Sequence, residues 1–234
     1  VCSSDLETLL GDNSKVPNKN IEAIKKASKL GIKFVPATGR GHRSIKPTLK
    51  ELNLLNKENE YTISFNGGAI VENNNYKILK FHGLSFDLAD ALFKSGLENN
   101  VCIHVYTEND VFVFNINDDE KDYISNRLKG FIIKEDTSID FLKDTPISKV
   151  LFQNLDRTYL NNIENKIQHI TNDKVTVTYS SNRYIEFNSI GVNKGIAVIE
   201  LGEMLGIKKE EIIAIGDNFN DLSMLNAAGL SIAV

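Results

Sequence analysis

Two carboxylates four residues apart, Asp217 and Asp221, close the segment Ile212-Ile213-Ala214-Ile215-Gly216-Asp217-Asn218-Phe219-Asn220-Asp221. The apolar, β-branched run before them reads as a buried parallel strand. Loops at the carboxyl ends of such strands are where open α/β sheets bind ligands. Two acidic groups converging there repel each other unless a cation lies between them, and an all-oxygen donor set suits Mg²⁺. The plain structural alternative is an Asp-Asn turn that caps the following helix.

Three further segments carry residue types that fit the same chemistry. They are Ser4-Asp5-Leu6-Glu7-Thr8-Leu9-Leu10, Ala37-Thr38-Gly39-Arg40 and Asn193-Lys194-Gly195. Each follows or faces a strand of the parallel type. Taken singly they are unremarkable: Thr38 could cap a helix, Lys194 could be a surface lysine, and Arg40, Arg43 and Lys46 read as a solvated helix face. Their joint occurrence with the acidic loop raises the odds that they share one functional site. Thr38 offers a hydroxyl, Gly39 an unobstructed backbone N–H, Lys194 a point positive charge and Asn220 a carboxamide.

In motif order, spacing and an inserted middle section, essentially the whole chain resembles the haloacid dehalogenase superfamily of phosphatases. It resembles in particular the Cof-type branch with a large α+β (type IIB) cap. Gly216 to Asp221 with Leu222-Ser223-Met224-Leu225-Asn226-Ala227-Ala228-Gly229 is the most specific match; Ala37 to Arg40 and Ser64-Phe65-Asn66-Gly67-Gly68-Ala69 support it. The resemblance implies a Mg²⁺-dependent hydrolase that removes phosphate from small phosphorylated metabolites: sugar phosphates, nucleotides or phosphorylated cofactors. A carboxylate would attack phosphorus and form an aspartyl-phosphate, dividing one hard step into two. It also implies a metal among Asp5, Glu7, Asp217 and Asp221.

The first motif departs from the pattern of that family, Asp-x-Asp-Gly-Thr, in which the first Asp is the nucleophile and the second the acid/base. Aligned without gaps on Thr8-Leu9-Leu10, Ser4 takes the nucleophile position and Leu6 the acid position, and the machinery is lost. With the glycine lost and one residue gained upstream, Asp5 is the nucleophile and Glu7 the acid/base. A spacing of two on an extended strand puts both carboxylates on one face, and we adopt this register. It lacks the glycine that would permit positive φ in the turn, and Glu7 reaches about one methylene further than Asp would. A displacement of ~1 Å can cost on the order of a hundredfold in rate, so impaired turnover is expected.

Stepping out from these residues, short strands near residues 1–4, 32–36 and 61–65 alternate with helices at 20–30, closed by Gly31, and 42–52, kinked at Pro47. This is a βαβ pattern and hence a parallel sheet. From about residue 84 the rhythm changes. A helix at 86–98 leads into a hairpin of strands 101–106 and 111–114 across Glu108-Asn109-Asp110. A helix (119–129), a strand (149–153), a helix (157–170) and strands 175–179 and 184–187 follow, a ββαβαββ unit with an antiparallel sheet. Residues 194–205 return to helix and 211–215 to the parallel type.

With the resemblance, this rhythm implies an α/β fold, a doubly wound, mostly parallel sheet of strand order 3-2-1-4-5. Residues 1–83 plus 185–234 form the core and 84–184 an inserted α+β cap that chooses the substrate. The first and last strands read as trimmed at both ends of the chain, with a matching loss of stability.

The 234 residues are 41% hydrophobic and 25% charged, with a net charge of −4. That suffices for a real core and gives no basic face for nucleic acid. Cys2 and Cys102 have neither metal spacing nor a disulfide framework. No apolar run approaches the ~20 residues that span a bilayer, and no signal peptide is legible. A cytoplasmic protein with a small-molecule phosphate ester as its partner is expected, without nucleic acid or membrane, monomeric or weakly homo-oligomeric. His42, His82, His104 and His169 show no paired spacing and receive no role; Tyr106, Phe112 and Phe114 read as cap core. Two rivals remain open: a non-catalytic phosphate-ligand binding protein, if Ser4 holds the nucleophile position, and a sugar phosphomutase of the same fold.

Overall fold

A computed structural model describes residues 1–4, 8–11, 15–125 and 130–234. The chain divides into two compact units, Val1–Phe81 with Val192–Val234, and His82–Gly191.

Short, wholly buried strands form the middle of the first unit's sheet, as sequences covered on both faces must. β1 (Cys2–Ser4), β2 (Val35–Ala37) and β3 (Tyr61–Ser64) bury every residue, and β12 (Ile213–Gly216) and β13 (Leu230–Ala233) extend the sheet. The sheet order is β13-β12-β1-β2-β3-β4-β5. The five strands β13 to β3 are parallel, which gives the expected order 3-2-1-4-5. Successive residues face opposite ways. Cys2 and Val35 pack with Ala197, Val198 and Leu201 of α7 (Lys194–Leu205) and Met224 of α8 (Leu222–Ala227). Val1 and Phe34 pack instead with Ile21 and Ile24 of α1 (Asn18–Lys29) and Leu49 of α2 (Lys46–Glu51). The sheet is thus doubly wound.

Two features of this unit differ from expectation. Residues 42–52 are not one kinked helix. A 3₁₀ turn, His42–Ile45, precedes α2, and Pro47 lies in the first turn of α2. There the missing N–H would have had no intrahelical acceptor, so Pro47 starts the helix instead of bending it. The second is an antiparallel extension, β4 (Ala69–Glu72) and β5 (Lys77–Phe81), beside β3.

The second unit is built on a six-stranded sheet of order β10-β11-β9-β6-β7-β8. Its strands are β6 (Cys102–Thr107), β7 (Val111–Phe114), β8 (Phe131–Lys134), β9 (Ile147–Gln153), β10 (Val175–Ser180) and β11 (Tyr184–Ser189). One face, with Ile103, Val105, Phe152 and Phe187, is apolar and packs with residues of α3 (Phe86–Glu98) and α5 (Arg157–Lys166). Ile170 of α6 (Gln168–Thr171) adds to that core. The alternate residues Cys102 and His104 meet Ile124 and Glu120 of α4 (Asp118–Ser125).

The expected ββαβαββ order lacked β8, which pairs parallel to β7. The expected helix over 119–129 is observed to Ser125; its last four residues lie outside the described ones. The unit ends at Gly191, not at residue 184, because all of β11 pairs antiparallel with β10 and most of it with β9.

Candidate active site

Lys194 is the first residue of α7, whose N-cap, Asn193, accepts a hydrogen bond from the Ile196 N–H at 2.9 Å. That cap fixes where the lysine stem leaves the helix. The side chain is 1% exposed, and its Nζ lies 2.6 Å from Asp221 Oδ1. Nζ also donates to Ser4 Oγ, at the end of β1, at 3.3 Å.

Asp221 is fully buried. Its second oxygen accepts from the backbone N–H groups of Asp217 and Asn218, each at 3.2 Å. The loop closes this tightly because residue 216 is glycine: a Cβ there would stand 2.6 Å from Asp221 Cβ. Both oxygens of Asp221, expected as a metal ligand, are thus engaged by Lys194 and the loop backbone.

Asp217 differs from Asp221. It is half-buried, its Oδ1 accepts from the hydroxyl of Thr8, and among the described residues no cation pairs with it. A carboxylate beside the Thr8 hydroxyl, with no sulfur or imidazole among its described partners, is the oxygen donor chemistry a hard divalent ion takes. Among the described residues no group of three or more His, Cys, Asp or Glu converges to hold a metal. Asp5 and Glu7, the expected nucleophile and acid/base, lie outside the described residues.

A second cluster adjoins this one at the carboxyl ends of β2 and β3. Thr38 is buried; its N–H donates to Ile63 O at 2.9 Å and its Oγ1 accepts from the Arg40 N–H at 2.9 Å. The hydroxyl therefore closes its own turn and keeps its proton for a further acceptor. Gly39 has Asn66 above it, and Asn220 Nδ2 donates to Asn66 Oδ1 at 3.3 Å. The structure so gathers Lys194, Asp217 and Asp221 in one group and Thr38, Gly39 and Asn220 around a second. Ser4 continues the first into the sheet, pairing with Ala37. Sequence reasoning gave no role to Thr8 or Asn66. The Asn66-Gly67-Gly68 run, a turn composition directly after a strand, was the signal available for Asn66.

No histidine is among the residues gathered in either group. Burial, and then the nearby Arg43 charge, lower the His42 pKa to about 4, so it is neutral at pH 7 and packs against Phe65 and Tyr76. His104 lies in the second unit, where it belongs to a buried polar cluster. Glu120 accepts from Arg183 at 2.7 Å and Tyr184 at 2.7 Å and lies 3.1 Å from His104 Nε2. Lys149 and Ser180 engage Glu186 beside it.

The model of the haloacid dehalogenase-like hydrolase family matches residues 4–234. Two 5-amino-6-(5-phospho-D-ribitylamino)uracil phosphatases of Bacillus subtilis (strain 168), YcsE and YwtE, are each 28% identical to the chain. The alignments cover 97% of this chain and 80% and 84% of theirs. A crystal structure of a haloacid dehalogenase-like hydrolase from Bacteroides thetaiotaomicron superposes with a TM-score of 0.84 at 28% identity, covering 99% of this chain and 86% of that one. A match over nearly the whole length, on a doubly wound core with the lysine and the acidic loop gathered at its strand ends, places this chain in the haloacid dehalogenase-like hydrolase family.

Proposed function

We propose that the chain is a Mg²⁺-dependent phosphatase of small phosphorylated metabolites, working through an aspartyl-phosphate on Asp5. The observation that carries this reading is the contrast between two neighbouring carboxylates: Asp221 neutralised by Lys194, and Asp217 left with negative charge to offer. Asp217, with Asp5, would hold the ion, which leaves Glu7 to carry the proton, and Asp221 stands behind them. The bound ion would supply positive charge against the phosphoryl oxygens and the attacking carboxylate.

This chain's own groups do the rest. The Asp5 carboxylate forms a bond to phosphorus as the P–O bond to the alcohol breaks, and Glu7 gives the departing oxygen its proton. Glu7 then takes a proton from the water that attacks phosphorus, which frees Asp5 and inorganic phosphate. The Gly39 N–H and the free proton of Thr38 bind phosphoryl oxygens, and Lys194 offsets their charge. Asn220 orients a substrate oxygen. The second unit acts as the cap that selects the substrate. The two relatives named for a phospho-ribityl compound support a polyol or sugar phosphate as the class. Turnover is slowed by the missing glycine and the longer reach of Glu7.

A second reading is favoured by one contact. Ser4 Oγ, at the end of β1, lies 3.3 Å from Lys194 Nζ, as the register with Ser4 in the nucleophile position would have it. The chain would then bind phosphate ligands without cleaving them. Steady-state phosphate release from p-nitrophenyl phosphate, with Mg²⁺ and with EDTA, separates the two. Metal-dependent turnover lost in Asp217→Asn supports the phosphatase. A folded parent that binds inorganic phosphate but releases none from the ester supports the binding protein.

A further inference from the structure

The turn that follows β3 is left-handed over three consecutive residues: Phe65, Asn66 and Gly67 have φ of 53°, 56° and 102°. For a bulky residue such as Phe65 this is an unfavourable conformation, kept only where the surroundings over-determine it. They do so on two sides. The Phe65 N–H donates to Arg40 O at 3.1 Å and the Asn66 N–H to Thr38 O at 3.0 Å. The buried Phe65 ring lies so close to Gly41 that a Cβ there would come within 3.0 Å of it. On the other side, a Cβ on Gly67 would stand 2.3 Å from the carbonyl oxygen of Asn193, the residue that caps Lys194's helix.

One turn therefore braces the Thr38–Arg40 loop against the start of α7. The side chain at its centre reaches the rest of the site. Asn66 Oδ1 accepts from Asn220 Nδ2 at 3.3 Å and lies 3.0 Å from where a Gly39 Cβ would be. Asparagine suits the place twice over, because it tolerates the left-handed region and carries a carboxamide.

We infer that Asn66 is a positioning residue: its carboxamide fixes the exposed Asn220 side chain over the phosphate-binding backbone of Gly39, so that Asn220 meets a phosphoryl oxygen already oriented. The inference rests on the phosphoryl-transfer reading of the site for its consequence but not for its geometry. Removing the contact frees Asn220 to rotate and weakens ground-state and transition-state binding alike. The loss then falls on KM and leaves kcat nearly unchanged.

The test compares Asn66→Gly, which keeps the left-handed backbone and deletes the carboxamide, with Asn220→Ala and the double variant. Kinetics on p-nitrophenyl phosphate with Mg²⁺ are paired with calorimetric titration of inorganic phosphate. A hydrogen bond of ordinary strength corresponds to about a three- to tenfold change. Asn66→Gly should raise KM by about that factor, leave kcat within about twofold, and weaken inorganic phosphate equally. The double variant should be no worse than the poorer single, because both act through one contact. Should Asn66→Gly fail to fold, Asn66→Asp keeps the backbone and the acceptor but sets a negative charge over Gly39, and it should weaken inorganic phosphate further.

Unchanged KM and phosphate affinity in Asn66→Gly, or losses that multiply in the double variant, would overturn the inference. A parent without turnover would defeat the phosphatase reading alone, and the inorganic phosphate titrations would still decide the role of Asn66.

Discussion

Replacing Lys194 by methionine should destabilise the protein out of proportion to the size of the change. The ammonium is 1% exposed, its partner Asp221 is fully buried, and the two lie 2.6 Å apart. Lys194→Met leaves the carboxylate in a low-dielectric site without its cation, and breaking such a pair costs about 3–5 kcal/mol. The Asp217 and Asn218 N–H groups still donate to Asp221, so the lower end, about 3 kcal/mol, is expected. With a urea slope of about 2 kcal/mol/M, the midpoint of the first unit should fall by about 1.5 M. Asp221→Asn alone should cost a comparable amount, because among the described residues it leaves the lysine with only the Ser4 hydroxyl.

The double variant Lys194→Met/Asp221→Asn removes both charges and keeps an oxygen for the two backbone donors. Its loss should therefore be at least about 2 kcal/mol smaller than the sum of the single losses. The assay is equilibrium urea unfolding with equal slopes across the four proteins. A single-variant loss under about 1 kcal/mol, or a double variant equal to the sum, would refute the buried pair as the element that holds the acidic loop on α7.

Acid should destabilise the second unit in a defined window. Burial opposes ionisation of Glu120, but the His104, Tyr184 and Arg183 contacts outweigh it and hold its pKa below the ordinary 4.5. Burial is likewise outweighed at Glu186 by Lys149 and Ser180. Carboxylates depressed in the folded state contribute stability above their unfolded pKa and lose it as pH falls through the folded one. Urea midpoints should thus drop as pH falls below about 4.5, and Glu120→Gln should flatten that slope; an unaltered slope would remove Glu120 from the account. Mg²⁺ should raise the melting temperature of the parent, because a ligand of the folded state at a hundred times its Kd adds about 2.7 kcal/mol. EDTA should cancel the rise, and Asp217→Asn should show none; an equal rise in that variant would place the ion elsewhere.

The parallel core was legible because its strands are short apolar runs and its helices amphipathic. These local signals survive without knowledge of the partners, whereas the strand order came from the family resemblance. The hairpin of β4 and β5 was not, because its turn runs through Asn73 to Tyr76 with left-handed Asn75 and Tyr76, not through a two-residue Asn-Gly or Asp-Gly signal. The Phe-Ile-Ile-Lys run of β8 is four residues long and pairs parallel to β7 across a long connection, which no local pattern announces.

At the site, Lys194 and the acidic loop were readable from residue type and spacing. The part of Asn66 was not, since a hydrogen bond to Asn220, 154 positions away, is a product of the fold. Spacing also leaves two registers for the first motif, because a gap and a substitution fit it equally. The lysine beside Ser4 is tertiary information.

The most direct test of the central claim is to trap the covalent intermediate. The parent, Asp5→Asn and Ser4→Ala would be mixed with a radiolabelled phosphate ester and Mg²⁺, quenched in acid, and assayed for protein-bound label that hydroxylamine releases. The account predicts a hydroxylamine-labile acyl-phosphate on the parent and on Ser4→Ala, absent from Asp5→Asn and from the parent in EDTA. Label that persists in Asp5→Asn, or a folded parent that never acquires any, would contradict it.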